Sequence, residues 1–190
     1  NLSTQATGML VRRQAQETNA ALEDTIANEM TIALDTGDFS PIEASINSNP
    51  FWTDTFKAQR LQQAKDTYSV GLMTKQGTGT IESTGDLKLA YDAIDQYQGD
   101  TITDAQRGAA KQAVEVEYKR RLNGYQAEAD TAIKALADQG APMGTTTKAL
   151  VDKAPEGMRA DLQKYVDERR DAAMWEQFQA KANAPGADLT

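Results

Sequence analysis

Residues 53–68, TDTFKAQRLQQAKDTY, return fifty positions later as residues 103–118, TDAQRGAAKQAVEVEY. The two segments align without a gap, so that Tyr68 matches Tyr118. A fainter third copy occupies residues 155–170. A period of this length is typical of stacked supersecondary units, because one such unit cannot bury its apolar face alone. We therefore expect a repeat architecture.

The same short turn precedes the first two copies. Thr36-Gly37-Asp38 and Thr84-Gly85-Asp86 stand 48 residues apart. A glycine at this place is typical of a helix end, since glycine adopts the left-handed conformation without steric cost. The aspartate can then cap the helix that follows. The predicted unit is a short helix, a tight turn and a long helix.

Apolar residues recur at three- and four-residue steps along most of the chain, which is the spacing of amphipathic helices. No stretch alternates apolar and polar residues as a strand does. The fold class we predict is all-α, a helical-hairpin repeat array of long and short helices that is solenoid- or bundle-like. The predicted helices cover residues 9–35, 41–47, 52–75, 86–97, 103–139, 145–152 and 155–183.

We interpret residues 1–190 as a single helical repeat region with units at about 9–76, 81–140 and 144–184. The segment Gln76-Gly77-Thr78-Gly79-Thr80 is predicted to be a flexible linker between the first two units, because glycine and threonine favour loops. Deleting residues 77–79 should then be well tolerated, since the entropy of closing a loop changes slowly with its length.

The composition predicts a thin core. Leu, Ile, Val and Phe together supply 31 of 190 residues, while alanine supplies 30. Alanine favours helices but buries little surface, so helices of this kind gain most of their stability from neighbours. We expect a homo-oligomer or a longer array, and we expect the chain to be a fragment of a longer protein.

The formal net charge of −8 disfavours nucleic acid as a specific ligand, because phosphate contacts need a basic surface. It disfavours electrostatic binding to anionic lipid for the same reason. No apolar run approaches the roughly 18 residues that indicate a membrane span. These observations leave protein surfaces as the expected partners.

The chain contains neither His nor Cys. Nucleophile pairs of the Ser-His or Cys-His type and the usual zinc sites are therefore impossible within it. The glycine-containing segments are not followed by the Gly-Lys-Ser/Thr sequence of a phosphate-binding loop. We predict no catalytic residue, no cofactor and no metal, and we predict that the protein is not an enzyme.

The residues predicted to matter are packing or interface anchors rather than catalytic groups. Trp52 and Trp175 lie in or near apolar stripes, where tryptophan most often anchors a core or a subunit contact. Tyr68 and Tyr118 are repeat equivalents, so we expect packing positions whose hydroxyl groups reach the surface. Leu122 lies on the apolar stripe of the longest predicted helix.

The turns LDTGDF at 34–39 and KAPEGMRADL at 153–162, the Ala/Gln/Thr/Asp bias and the lack of cysteine carry a resemblance. The chain resembles the long helical regions of internal virion proteins, or ejection proteins, of short-tailed bacteriophages. This resemblance implies location in the virion, with copies of itself or other virion proteins as partners. It also implies oligomeric helical tubes or cores that help conduct DNA across the cell envelope. Without it we expect a cytoplasmic protein.

Two functions remain open at this point. The first is a non-enzymatic structural protein that oligomerises and, as the resemblance implies, assists genome ejection. The alternative is an α-solenoid adaptor that binds a protein or peptide in a concave groove. The mass in solution discriminates between them, since an oligomer favours the first and a compact monomer favours the second.

Overall fold

The computed structural model describes residues 2–99, 102–141 and 144–183. Within those ranges every regular element is a helix, which confirms the all-α prediction. The helices are α1 (Leu2–Thr36), α2 (Ser40–Ser48), α3 (Asp54–Thr84), α4 (Leu87–Gln96), α5 (Asp104–Gln139), α6 (Gly144–Lys153) and α7 (Glu156–Ala182). Long helices α1, α3, α5 and α7 thus alternate with short helices α2, α4 and α6. The last predicted unit ends at residue 184, which lies outside the described residues.

The predicted linker at 76–80 was wrong, because α3 continues through it to Thr84. A Cβ atom on Gly77 would lie 2.6 Å from Val114 Cγ2 and 3.1 Å from Ile94 Cδ1. The missing side chain therefore makes room for two apolar residues of neighbouring helices. A glycine inside a helix costs about 1 kcal/mol relative to alanine, and close packing offsets this cost here.

Three long helices end at a glycine with positive φ. The φ angles of Gly37, Gly85 and Gly140 are 77°, 70° and 64°. Only glycine adopts this region at little cost, so the chain leaves each helix at a predictable place. The two Thr-Gly-Asp turns that the sequence predicts are helix ends of this kind.

The chain divides into two compact units. The first comprises Asn1–Lys75 and Gln98–Arg107, and the second comprises Gln76–Tyr97 and Gly108–Thr190. Helices α3 and α5 each contribute residues to both units.

In the first unit α2 returns the chain along α1. Ser45 Oγ donates to Glu29 Oε1 at 2.9 Å, and Asn49 Nδ2 donates to Asn19 Oδ1 at 3.3 Å, so the two helices run in opposite directions. Helix α3 runs parallel to α1, because Arg60 pairs with Glu23 and the later Lys75 forms an ion pair near the end of α1. The buried core of this unit contains Ile26, Ala33, Ile42, Ile46 and Ala64.

The second unit repeats this arrangement. Tyr91 of α4 bonds to Glu115 of α5, and the later Asp95 of α4 bonds to the earlier Lys111 of α5. Helices α4 and α5 are therefore antiparallel. Helix α7 runs in the direction of α5, because Tyr165 bonds to Asp130 and the later Gln177 bonds to the carbonyl of Ala137. Buried side chains of this unit include Ile94, Val114, Ile133, Met158, Leu162 and Val166.

Candidate interaction surface

Each short helix buries one pair of residues spaced four apart. The pairs are Ile42 and Ile46 in α2, Ala90 and Ile94 in α4, and Thr147 and Val151 in α6. Residues at this spacing lie on one face of a helix, so each short helix presents one narrow face to the long helices of its unit. The short helices were predicted from this spacing, whereas the burial of these three pairs is a finding of the structure.

The last two turns of α1, α3 and α5 each contain a buried apolar residue. Ala33, Ile81 and Ile133 lie within the last two turns of these helices, and all three are buried. A short helix follows each of the three within the described residues. Part of each of these helix ends is therefore packed against the rest of its unit.

Helix α7 differs, because its second half presents large apolar side chains to solvent. Met174, Trp175 and Phe178 are 54%, 59% and 58% exposed. The rings of Trp175 and Phe178 stack with centroids 5.7 Å apart and planes 21° from parallel. Together with Asp171, these three residues line an open groove of about 370 Å³. We call Met174, Trp175 and Phe178 the α7 patch.

The two tryptophans predicted as anchors have different surroundings. Trp52 is half-buried, packs against the core of the first unit and meets the ring of Phe56 edge to face at 5.0 Å. Trp175 packs only partly on its own helix and stays mostly exposed. Exposed aromatic clusters of this kind mark interaction surfaces more often than isolated exposed apolar residues do.

The repeat-equivalent tyrosines also differ. Tyr118 is 9% exposed, and its hydroxyl donates to Asp161 Oδ2 of α7 at 2.8 Å. Burial, together with the neighbouring Asp161 carboxylate, raises the pKa of Tyr118 to about 12. Tyr68 is half-buried, and its ring lies 5.2 Å from that of Phe39. The Tyr118 hydroxyl bonds to Asp161, which is itself an exposed residue of α7, so the expectation that this hydroxyl reaches the surface stays a prediction.

Leu122 lies half-buried on α5, between the charged residues of that helix and its buried stripe. The charged side chains next to it pair locally. Arg120 and Arg121 both donate to Glu117, at 2.7 Å and 2.6 Å, and these bonds lower the pKa of Glu117 to about 2. Arg121 also pairs with Glu82 of α3. This part of α5 is thus a neutralised face rather than a basic ligand site.

Three exposed side chains lie close together in the first half of α1. Met9 is 72% exposed and begins the sequence Met-Leu-Val. Arg12 and Arg13 are exposed as well, with Arg13 Nε donating to Glu17 Oε1 at 2.8 Å. Met9, Arg12 and Arg13 are three and four residues apart, so these exposed side chains lie on one face of α1.

The described ranges contain no group of three or more His, Cys, Asp or Glu residues placed to hold a metal ion. None of the helices described has an apolar stretch long enough to cross a bilayer. No protein-family model, curated protein or solved structure matches the chain. The α7 patch is therefore interpreted from its own geometry.

Proposed function

We propose that this chain is a non-enzymatic structural protein that acts by assembling with other helical protein segments. The observation that carries this proposal is the α7 patch, in which Met174, Trp175 and Phe178 are all more than half exposed on one helix. A cluster of exposed apolar and aromatic side chains of this kind is typical of a protein–protein contact surface.

The chemistry of the chain supports an assembly role over a reaction. It holds no His and no Cys, and the strongly shifted carboxyl, Glu117, is held ionised by two arginines on its own helix. A general acid or base needs a pKa near the working pH, and a pKa of about 2 is far from it. Glu117 is better understood as part of a local ion-pair network.

The resemblance to internal virion proteins of short-tailed bacteriophages supplies the biological setting of the proposal. In that setting the chain oligomerises inside the virion, with itself or with other virion proteins, and assists genome ejection. The net charge of −8 suits a wall past which DNA moves without adhering, because like charges repel. Specific nucleic-acid recognition is not part of the proposal.

The test is the mass of the chain in solution, measured by size exclusion with light scattering over a concentration series. Self-assembly predicts masses above that of the 20.7 kDa monomer that increase with concentration. A monomer at every concentration contradicts self-assembly.

A second candidate, the protein-binding adaptor, is favoured by a groove between α5 and α6. Its lining is mostly small and apolar, and its volume is about 510 Å³. The lining residues include Ala127, Ala132, Ala135 and Leu150. A monomer that captures a defined helical peptide in this groove, and loses it on Ala132→Glu, would favour the adaptor.

A further inference from the structure

We propose that the α7 patch is the contact surface of a symmetric dimer, in which α7 of one chain packs antiparallel against α7 of a second copy. This inference rests on the proposed assembly function and names the partner of the patch. It commits to one occupant, the same face of α7 in another copy of this chain.

The first step is that α7 is apolar on two faces. Leu162 is fully buried within the second unit. Phe178 lies 16 residues later, which at 3.6 residues per turn places it about 160° around the helix from Leu162. The second half of α7 is still attached to its unit, because Gln177 Nε2 donates to the carbonyl of Ala137 at 2.7 Å. A helix that is apolar on opposite faces is typical of one with neighbours on both sides, and the α7 patch is the side that stays open.

The second step is the order of charges along the exposed face. Asp171 lies about one turn before Met174 and lines the groove of the patch. Lys181 lies about one turn after Phe178 and is exposed. Residues 177–183 contain this one base and no acid. The face is therefore acidic before the patch and basic after it.

Local ion pairs leave this order of charges in place. Arg170 pairs with Asp167 at 3.1 Å and with Asp171 at 3.2 Å, so one base is shared between two acids. Glu168 is exposed in the same stretch. Arg169 pairs at 3.3 Å with an aspartate of α5 instead. The turns before the patch therefore keep an excess of negative charge.

The third step is the symmetry of the spacing. Asp171 and Lys181 lie five residues on either side of a common midpoint, and Met174 and Phe178 lie two residues on either side of the same midpoint. A twofold axis at that level brings the acid of one copy opposite the base of the other, and Met174 opposite Phe178. Trp175 then lies beside the axis, next to its own copy. A parallel pair would bring like charges opposite each other, so charge complementarity selects the antiparallel arrangement.

The expected contact is small and closed. Each copy uses the same surface, so the contact is isologous and ends at two chains. One helix face from each copy is at the small end of interface sizes, and we therefore expect association in the micromolar range.

Site-directed cross-linking tests the orientation, and the chain has no cysteine of its own to interfere. An Asp171→Cys chain is mixed with a Lys181→Cys chain and oxidised. We expect the product that joins the two different chains in excess over either self-dimer. In the antiparallel pair the two copies of residue 171 lie about 15 Å apart along the helix axis, and the two copies of residue 181 do as well. A disulfide needs Cα atoms within about 7 Å.

Val116→Cys is the control for the cross-link, because this site is 63% exposed on α5 and lies outside the contact. It should give no excess product with either α7 variant. Predominant products joining 171 to 171 or 181 to 181 would overturn the antiparallel contact.

A second measurement tests whether the patch drives association. Trp175→Glu combined with Phe178→Glu should weaken association at least tenfold by light scattering, because anchoring aromatics carry much of the binding energy of an interface. Val116→Glu is the matched control and should leave the association constant unchanged. These sites are all exposed, and unchanged melting checks that the variants fold.

Reversing the charges tests the proposed complementarity. Lys181→Glu should weaken association by about threefold, because two exposed ion pairs of the dimer become repulsive contacts. Adding Asp171→Lys to the same chain should restore the association of the parent. In a parallel pair Lys181 would face its own copy, so Lys181→Glu would leave association unchanged, and that result would overturn the antiparallel contact.

The mass in solution separates this contact from assembly in general. A closed dimer predicts a mass that levels off at twice the 20.7 kDa of the monomer. Larger masses that the α7 variant does not reduce would overturn the dimer and leave assembly standing. A monomer at all concentrations would overturn both the dimer and the self-assembly proposed above.

Discussion

The two Thr-Gly-Asp turns, at residues 36–38 and 84–86, have the same local geometry. In each, the glycine N–H donates to the carbonyl four residues earlier at 2.8 Å. In each, the aspartate N–H donates to the threonine hydroxyl, at 3.3 Å and 3.1 Å respectively. The glycine φ angles, 77° and 70°, agree as well.

The surroundings of the two turns are different. No heavy atom of a neighbouring segment lies within 4 Å of where a Cβ on Gly37 would stand. A Cβ on Gly85 would lie 2.7 Å from Pro155 Cβ and 3.1 Å from the backbone nitrogen of Met158. The comparison teaches that local sequence sets the backbone of a turn, while the segment packed upon it sets how much change the turn tolerates.

The largest effect is expected from glycines at the covered turn. A Cβ on Gly157 would lie 2.5 Å from the carbonyl carbon of Gly85 and 2.6 Å from the nitrogen of Asp86, and backbone cannot turn aside as a side chain can. Gly157→Ala should therefore cost more than about 3 kcal/mol of unfolding free energy. Gly37→Ala should cost only about 1 kcal/mol, from its positive φ. Urea unfolding checks both.

Gly108→Ala is the matched control for Gly157→Ala, because Gly108 is helical and has nothing within 4 Å of its Cβ position. The higher helix propensity of alanine should stabilise it by about 1 kcal/mol. Equal effects at residues 108 and 157 would contradict the packing account of the covered turn.

The next largest effects are expected at two glycines of α3, one packed against neighbouring helices and one exposed to open space. Gly77→Ala should destabilise by about 1–3 kcal/mol, because the added methyl would meet Val114 and Ile94. Gly79→Ala, two residues later on α3, has nothing within 4 Å and should stabilise by about 1 kcal/mol. Thermal melting of both variants is the measurement.

Deletion of residues 77–79 should be disruptive, because it would shift the register of a packed helix. Full tolerance of the deletion would support the linker interpretation instead.

The repeat-equivalent tyrosines supply a pH test. Folding raises the pKa of Tyr118 from 10.0 to about 12, so the folded state keeps the proton where the unfolded chain releases it. Its contribution to stability is full below pH 10 and is lost as the pH rises from about 10 to 12. Tyr118→Phe should cost about 1–2 kcal/mol at neutral pH, since Asp161 loses its donor.

Chemical unfolding at several pH values between 8 and 12 measures this dependence. The Tyr118→Phe protein should lose stability less steeply above pH 10 than the parent does. An unchanged slope in Tyr118→Phe would contradict the assignment of the alkaline loss to this side chain.

The smallest effect is expected at the aspartates of the two turns. Asp86 Oδ1 accepts from the backbone N–H groups of Lys88 and Leu89, at 2.8 Å and 3.1 Å, and so caps α4. Asp86→Ala should cost about 1 kcal/mol. Asp38 accepts from Ser40 instead, and α2 has no side-chain cap, so Asp38→Ala should cost less. A larger loss at Asp38 than at Asp86, measured by thermal melting, would contradict this ranking.

Most helix ends could be predicted because they depend on residues a few positions apart. The glycines at 37, 85 and 140 and the cap at Thr103 are local features, and each marks the end or start of an observed helix. The apolar stripes along the long helices were equally easy to recognise in the sequence. The predicted bounds of α1, α2, α4 and α5 therefore lie close to the observed ones wherever a glycine or a cap sets the end of the helix.

The open α7 patch could be predicted only in part. Trp175 was singled out as an anchor from the sequence, but its stacking on Phe178 and the exposure of both rings together with Met174 come from the structure. A periodic apolar stripe looks the same in sequence whether a neighbour covers it or not. The exposed stripe of α7 and the buried stripe of α5 thus differ by what packs on them rather than by pattern.

The all-α class, the alternation of long and short helices and the positions of the turns follow from backbone preferences, capping and periodicity, which act over a few residues. Other features depend on residues far away along the chain. Examples are a glycine at 77 that continues a helix, a tyrosine at 118 that meets Asp161, and a patch on α7 that stays open. Packing brings those partners together, and no local preference specifies which helix face will be covered.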